Sequence, residues 1–251
     1  MTEGYEIPYL LYWVALATII AVGGFMRGFS GFGTPLVMVP LLSFLMQPKE
    51  AVLLALSIDV LAMIPMIPGS IKLVRWRPII PLVIGAVIAI PIGVWVLVVA
   101  NPENMKVIIS TIVLVFACLL LSGWTYKGDR TITLSFFIGI FSGVANGATG
   151  IGGPPIAAFF IARGMTAKTL RSSLNIVAFI MEGLAALSIY LTGDFEIENV
   201  VKVLYLFPLM LVFVWFGTIL FRIVDNKLFN KLILYFLVIF GIYILITATL
   251  V

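Results

Sequence analysis

The stretch that decides the fold reads GFMRGFSGFGTP, residues 24–35, and a second copy reads GVANGATGIGGP, residues 143–154. The glycines and the proline that the two copies share recur at an interval of 119 residues, and Ser30 recurs as Thr149 at the same interval. This regularity indicates a duplicated chain whose two halves each interrupt a hydrophobic segment with glycine. Paired interruptions of this kind point to the binding site of a membrane transporter. We call the two segments the first tip and the second tip.

The composition around the tips is that of a membrane protein. Of the 251 residues, 63% are hydrophobic and 10% are charged, and the mean hydropathy is +1.23. Because such a chain is not an ordinary soluble domain and about 20 apolar residues cross a bilayer, the long apolar runs predict membrane spans. Shorter apolar runs, 35–46 and 154–162, directly follow the tips. The predicted spans are 9–25, 50–67, 78–100, 105–121, 131–144, 170–191, 200–221 and 228–251.

The residue inventory argues against catalysis and against cofactors. The chain has no histidine and one cysteine, Cys118, so it lacks Ser-His and Cys-His nucleophile pairs and the usual imidazole metal ligands. It has no Gly-Lys-Ser/Thr nucleotide motif, so the energy for transport is expected to come from a gradient. The net charge of +4 comes from the loops and does not indicate a nucleic-acid partner. We therefore expect no enzyme activity, no cofactor and no metal site.

Lysine and arginine positions discriminate between two topologies, because cytoplasmic loops of membrane proteins carry an excess of both. If the tips cross the membrane as broken helices, the two sides carry eight and six basic residues, which is no bias. If both tips are re-entrant hairpins, eleven basic residues share one side and three lie opposite. The hairpin topology is therefore predicted, with both termini outside. The eleven cytoplasmic residues are then Lys72, Arg75, Arg77, Lys127, Arg130, Arg163, Lys168, Arg171, Arg222, Lys227 and Lys231.

This topology predicts an all-α polytopic membrane protein made of two inverted repeats, 1–126 and 127–251. Each repeat is a re-entrant Gly-rich helical hairpin followed by three transmembrane helices. Because three crossings are an odd number, the second repeat is inverted relative to the first, and the two tips meet near the middle of the membrane. The expected location is a bacterial inner membrane, with the lipid bilayer as the surrounding partner.

The chemistry of the tips favours a small anion. Each tip runs into a helix start: Thr34 is expected as an N-cap with Pro35 at the first helical position, and Gly153 and Pro154 repeat the arrangement. Helix N-termini present unpaired N–H groups and partial positive charge, which together bind anions. Close packing of small residues is the alternative for the glycines. The candidate substrate-binding residues are Arg27, Gly28, Ser30, Gly31, Gly33, Thr34, Asn146, Gly147, Thr149, Gly150, Gly152 and Gly153.

Arg27 is the basic residue that remains after the loops are counted, and it lies inside the first tip. A charge at membrane depth is costly and marks a functional residue by default, so Arg27 is expected to supply charge to the anion. Its counterpart in the second tip is Asn146, a neutral donor. Neither tip segment contains a carboxylate, which argues against a cation site.

Other polar residues fall within predicted spans and leave two interpretations open. Asp59, Asn175 and Glu182 are candidates for coupling transport to H⁺ or Na⁺. Alternatively, Asp59 neutralises Arg27 or caps a backbone break. Arg171 is a candidate anion contact, or else it extends to the cytoplasmic interface with its charged end in water.

The duplicated glycine segments, each followed by a helix with a polar start, resemble those of the TauE/SafE family of sulfite and organosulfonate exporters. The resemblance covers essentially the whole chain. It implies a small sulfur-containing anion, sulfite or a short sulfonate, that is exported from the bacterial cytoplasm. The two copies differ in two features. Thr34 in the first copy stands where the second has Gly153, and the polar Arg171-Ser-Ser-Leu-Asn175 of the second half stands where the first half has the apolar Val52-Leu-Leu-Ala-Leu56. An anion channel, a carboxylate or thiosulfate transporter and a membrane-embedded enzyme remain as alternatives, and the sequence leaves the oligomeric state open.

Overall fold

The computed structural model describes residues 8–122, 131–193, 197–221 and 242, and every regular element in the first three of these ranges is a helix. A short 3₁₀ turn, Ile64–Met66, joins the third helix to the fourth. The helices are α1 (Tyr9–Ser30), α2 (Thr34–Leu42), α3 (Pro48–Met63), α4 (Ile67–Ile71), α5 (Trp76–Val99), α6 (Pro102–Leu121), α7 (Ile132–Thr149), α8 (Gly153–Ala162), α9 (Ala167–Tyr190) and α10 (Ile197–Leu220).

Seven helical segments within the described ranges are long and apolar enough to cross a membrane. They coincide with the first seven predicted spans, so the prediction of an all-α polytopic membrane protein is confirmed. The eighth predicted span, 228–251, lies outside the described residues apart from residue 242. The seven segments are Tyr9–Ser30, Pro48–Ile71, Trp76–Val99, Pro102–Leu119, Ile132–Thr149, Ala167–Tyr190 and Val200–Leu220.

The first helix of each half is longer than predicted. α1 continues to Ser30 and α7 to Thr149, whereas the sequence predicted ends at residues 25 and 144. Glycine inside a helix costs only about 1 kcal/mol relative to alanine, and close packing offsets that cost here. The helices end instead at Gly31 and Gly150, whose φ values of 77° and 72° belong to the left-handed region that glycine tolerates.

Each tip turns the chain back on itself. Met38 of α2 packs against Gly23 of α1, where a Cβ would collide with the Met38 thioether. Fifteen residues of continuous helix would separate these positions by about 22 Å, so the contact requires a reversal. In the second half, a Cβ on Gly152 would lie 2.6 Å from the Ser142 carbonyl oxygen in α7. Both tips are therefore helical hairpins in shape, while their re-entry into a membrane stays a prediction.

The two halves pack against each other reciprocally. Gly28 in α1 lies against the carbonyl of Val214 in α10, and its repeat counterpart Gly147 in α7 lies against the carbonyl of Ile90 in α5. A Cβ at either glycine would overlap the facing backbone, so the crossings require glycine. The facing residues are 124 residues apart, and the same interval relates the glycines that α5 and α10 present in return, Gly93 and Gly217. Repeated contacts at fixed intervals are what a duplication produces; the domain boundary and the inversion stay predictions.

Candidate functional site

Both tips turn through the same backbone device. The amide of Gly31 donates to the carbonyl of Arg27 at 2.9 Å, and the amide of Gly150 donates to the carbonyl of Asn146 at 2.7 Å. In each case a left-handed glycine follows the last helical residue, which is a common way to end a helix. The turn is therefore built by the glycine, and the residue four positions earlier contributes its carbonyl; in the first tip the Arg27 side chain also donates to the carbonyl of Gly31.

The hydroxyl groups of the tips hold these turns together. Ser30 Oγ donates to the carbonyl of Met26 at 2.9 Å and accepts the amide of Phe32 at 3.3 Å. Thr149 Oγ1 makes the equivalent pair, donating to the carbonyl of Ala145 at 2.8 Å and accepting the amide of Ile151 at 3.2 Å. Both hydroxyls already use their proton within the turn, so a ligand role for either requires exchange of that bond.

The helices that follow the turns begin without a side-chain cap. The prediction of Thr34 as an N-cap is wrong, because Gly33 occupies that position and Thr34 is the first helical residue. The Thr34 hydroxyl is fully buried and has no hydrogen-bond partner. No side chain caps α8 either, and Gly152, not the predicted Gly153, occupies its N-cap position. Pro35 and Pro154 are the second helical residues, one position later than predicted. Because Pro35, Pro154 and Pro155 have no N–H, the first-turn donors without intrahelical acceptors are the amides of Thr34 and Leu36 in α2 and of Gly153 in α8.

The two helix starts face open space and lie close to each other. A Cβ on Gly33 would meet no atom within 4 Å, and one on Gly153 would meet only Phe32, at 3.7 Å. The turn of the second tip also contacts the first: a Cβ on Gly150 would lie 3.4 Å from Pro35 Cβ. The tips therefore contact each other, while their meeting near the middle of a membrane stays a prediction. The glycines beside their helix starts are not needed for packing.

The remaining tip glycines serve contacts within the protein. A Cβ on Gly31 would collide with the side chain of Arg171. Gly28 and Gly147 lie at the helix crossings described above, and a Cβ on Gly152 would overlap α7. Packing therefore explains these four positions, and a ligand role for them stays a prediction.

Arg27 is fully buried and bound on several sides by the protein itself. Its Nε donates to Asp59 Oδ1 at 2.7 Å, and its Nη2 bonds the second oxygen of the same carboxylate. Nη2 also donates to Glu182 Oε1 at 3.3 Å, and Nη1 donates to the carbonyl of Gly31 at 3.1 Å. One guanidinium thus links helices α1, α3 and α9. This arrangement matches the alternative interpretation, in which Asp59 neutralises Arg27. We call Arg27, Asp59 and Glu182 the charge cluster.

The second tip has a neutral version of this connection. Asn146 occupies the position equivalent to Arg27 and donates from Nδ2 to the carbonyl of Met181 at 3.1 Å. Each tip is therefore anchored to the third helix of its own half, by an ion pair in the first half and by an amide in the second. The anchors converge, because Met181 precedes Glu182 in α9.

A basic cavity of about 750 Å³ opens beside the first tip. Arg171 lines it and donates from Nη2 to the carbonyl of Gly28 at 2.5 Å and to Thr218 Oγ1 at 3.3 Å. Asn175 donates to Ser70 Oγ at 3.4 Å, and its own Oδ1 has no partner. Lys168 adds a second positive charge. The lining contains no carboxylate: Pro65, Met66, Gly69, Ser70, Leu73, Ala167, Lys168, Arg171, Ser172, Asn175, Thr218 and Phe221.

Sequence reasoning missed part of this arrangement. The absence of a carboxylate from either tip segment argued against a cation site, but α3 and α9 bring Asp59 and Glu182 to Arg27. The sequence also does not mark Lys168 or Ser70 as site residues, although both line the cavity. Lys168 carried one signal, since it recurs as Lys49 at the repeat interval; Ser70 carried none, because its place in the cavity depends on how α4 packs on α9.

A duplicated set of apolar helices with two hairpin tips that meet defines a class, the polytopic helical membrane protein with transporter-like repeats. The chain belongs to the sulfite exporter TauE/SafE family, whose family model matches residues 15–244, nearly the whole chain. The resemblance inferred from the glycine segments is confirmed, and the protein is a multi-pass membrane protein of a transporter family. No match to a curated protein or to a solved structure was found.

Proposed function

We propose that this protein is a secondary transporter that exports a small sulfur-containing anion, sulfite or a short organosulfonate, held between the two tips. The observation that carries the proposal is the pair of uncapped helix starts, α2 and α8, that face open space next to each other. The two helix N-termini offer one ligand the N–H groups of Thr34, Leu36 and Gly153 and partial positive charge. A sulfite or sulfonate group matches them with three oxygen acceptors.

Thr34 supports a ligand at this place. Its hydroxyl is fully buried and has no partner, and an unmade hydrogen bond costs about 1–3 kcal/mol. A hydroxyl at the first position of α2 lies next to the N–H groups that an anion would bind. We propose that the Thr34 hydroxyl and the first-turn amides of α2 and α8 coordinate the anion.

The positive charge for the anion comes, in this proposal, chiefly from the basic cavity. Arg27 was the sequence candidate, but two carboxylates occupy its donors. Lys168 and Arg171 line a cavity free of carboxylates, and fields in such a cavity concentrate anions. Arg171 contacts the first tip at Gly28 and Gly31, so it connects the cavity to the tip. We propose the cavity as the cytoplasmic entrance and Arg171 as an anion contact.

Flux measurements on purified protein in liposomes test the proposal. Liposomes loaded with sulfite or methanesulfonate should release it only when the protein is present, and external substrate should accelerate that release. Such acceleration across the membrane requires an alternating step, which an anion channel lacks. Flux without acceleration would indicate a channel, and faster flux of thiosulfate or acetate would indicate a different substrate class. A matched pair sharpens the assay: Lys168→Gln in the cavity should slow entry, whereas Lys49→Gln at the equivalent position of the first half should not.

A further inference from the structure

The charge cluster carries more negative than positive charge. Arg27 supplies one positive charge against two carboxylates, and both carboxylates approach the same nitrogen, Nη2. Arg27 and Asp59 are fully buried, and Glu182 is 5% exposed. Uncompensated charge in such a place is costly. A cation of some kind is therefore needed to balance the cluster.

The geometry distinguishes the two carboxylates. Asp59 receives both Nε and Nη2 of Arg27 in a fork-shaped pair, which is the strong form of a guanidinium–carboxylate contact. Glu182 receives a single longer bond on Oε1, and its Oε2 is buried without any partner. Asp59 therefore uses both of its oxygens on Arg27, whereas Glu182 keeps one oxygen, Oε2, that is buried without a partner.

Within the described ranges, the cation that contacts Glu182 is Arg27; the buried Lys202 of α10 lies over Tyr12 near the start of α1, about four turns from Arg27. Helices α2, α4, α7 and α8 contain no charged residue, and α5 contains only Arg77, at its start. In α3 the charges besides Asp59 are Lys49 and Glu50, at the opposite end of the helix. In α9 itself, Arg171 lies about three turns and Lys168 about four turns before Glu182. The groups that face Glu182 are therefore Arg27 and Asp59, with Asn146 bound to the neighbouring carbonyl.

We propose that Glu182 is the coupling site of the transporter and that the coupling ion is a proton, bound at Oε2. The step forms one O–H bond with a proton taken from water and needs no other reactant. A proton on Glu182 makes the cluster neutral, and an anion then approaches the tips without repulsion from a surplus carboxylate. Proton and anion therefore favour each other's binding, so that export is driven by the outward concentration gradient of the anion. This inference rests on the proposed function and specifies its coupling.

Infrared spectroscopy of the purified, ligand-free protein tests the protonation by itself. Lowering the pH should produce the carbonyl band of a buried carboxylic acid in the wild type. Glu182→Gln, which has the shape of the protonated side chain and should fold, should abolish that band. Glu103→Gln, which removes an exposed carboxylate at the start of α6, should leave it in place. A band that persists in Glu182→Gln, or is absent from the wild type at every pH, would overturn the proposal.

Binding of methanesulfonate tests the coupling, because the charge of this anion does not change with pH. One linked proton predicts that wild-type affinity falls about tenfold per pH unit above the titration midpoint. Glu182→Gln should bind with the affinity that the wild type has at low pH, and should vary by less than about twofold over the same range. Equal pH dependence in the variant would overturn the coupling, and so would an affinity that depends on Na⁺ and not on pH. Absence of methanesulfonate binding combined with a normal infrared result would count against the proposed substrate and leave the proton site standing.

Discussion

The first tip is anchored by a charge and the second by an amide, although the two share a backbone plan. Arg27 and Asn146 occupy equivalent positions, and each reaches the third helix of its own half. Turns, hydroxyl bonds and glycine crossings repeat between the tips, whereas the charges do not. The comparison teaches that the duplication supplies the scaffold, and that the charge cluster gathers at the first tip alone, from residues of α1, α3 and α9.

The largest effect concerns the membrane orientation of the tips and is all-or-none. Gln47 and Thr166 are the equivalent N-cap residues after the two hairpins, and the 11 to 3 distribution of basic residues predicts them on opposite faces. In a chain whose Cys118 is replaced by alanine, Gln47→Cys should react with an impermeant thiol reagent added to intact cells. Thr166→Cys should react only after the cells are permeabilised. Reaction of both from one face would contradict the inversion.

Removal of the two anchors should differ by several kcal/mol. Arg27→Ala leaves two buried carboxylates without their partner, which costs about 3–5 kcal/mol of stability. Asn146→Ala loses one hydrogen bond, worth about 1 kcal/mol. Thermal unfolding and the folded yield in detergent measure both. Adding Asp59→Asn should restore part of the loss, and Arg27→Lys should retain only part of the stability because an ammonium lacks the planar fork. Equal losses of stability for Arg27→Ala and Asn146→Ala would mean that the ion pairs of Arg27 stabilise the fold no more than the amide of Asn146 does.

The glycine crossings should respond equally in both halves. Gly28→Ala and Gly147→Ala each place a Cβ against a facing backbone carbonyl, and overpacking of this kind costs about 1–3 kcal/mol. Gly183→Ala in α9 is the matched control, because its Cβ would meet nothing within 4 Å and alanine favours a helix by about 1 kcal/mol. Melting temperatures should therefore fall for the first two and rise for the third. A neutral Gly147→Ala would show that the second crossing is looser than the first.

Thr34 should affect the ligand and spare the fold. Thr34→Val removes a buried hydroxyl that has no partner at nearly constant volume, so the melting temperature should hold or rise. Loss of one hydrogen bond to an anion should weaken binding of methanesulfonate by about tenfold, or about 1.4 kcal/mol. Thr111→Val, which alters a hydroxyl on α6 that bonds its own helix, should leave the affinity unchanged. Unchanged affinity in Thr34→Val would remove this hydroxyl from the proposed site.

The sequence predicted the features that depend on local pattern. Hydrophobic length predicted the described spans, and the interval of 119 residues predicted two equivalent hairpins that meet. The interval did not predict that α1 continues through Gly24 and Gly28, because this continuation depends on α10, which packs against both glycines. The sequence predicted the charge cluster only in part. Asp59 has Ala178 as its repeat counterpart and Glu182 has Met63, so neither carboxylate recurs between the two halves.

The central claim is that both tips hold the same anion, and amide hydrogen exchange on the purified protein tests it most directly. Methanesulfonate should slow exchange in peptides that cover the start of α2, residues 33–38, and the start of α8, residues 152–157. Peptides from α6 serve as the internal reference and should not change. Slower exchange at both helix starts is the result the account predicts. Protection at one start alone, or at neither while the anion binds, would contradict it.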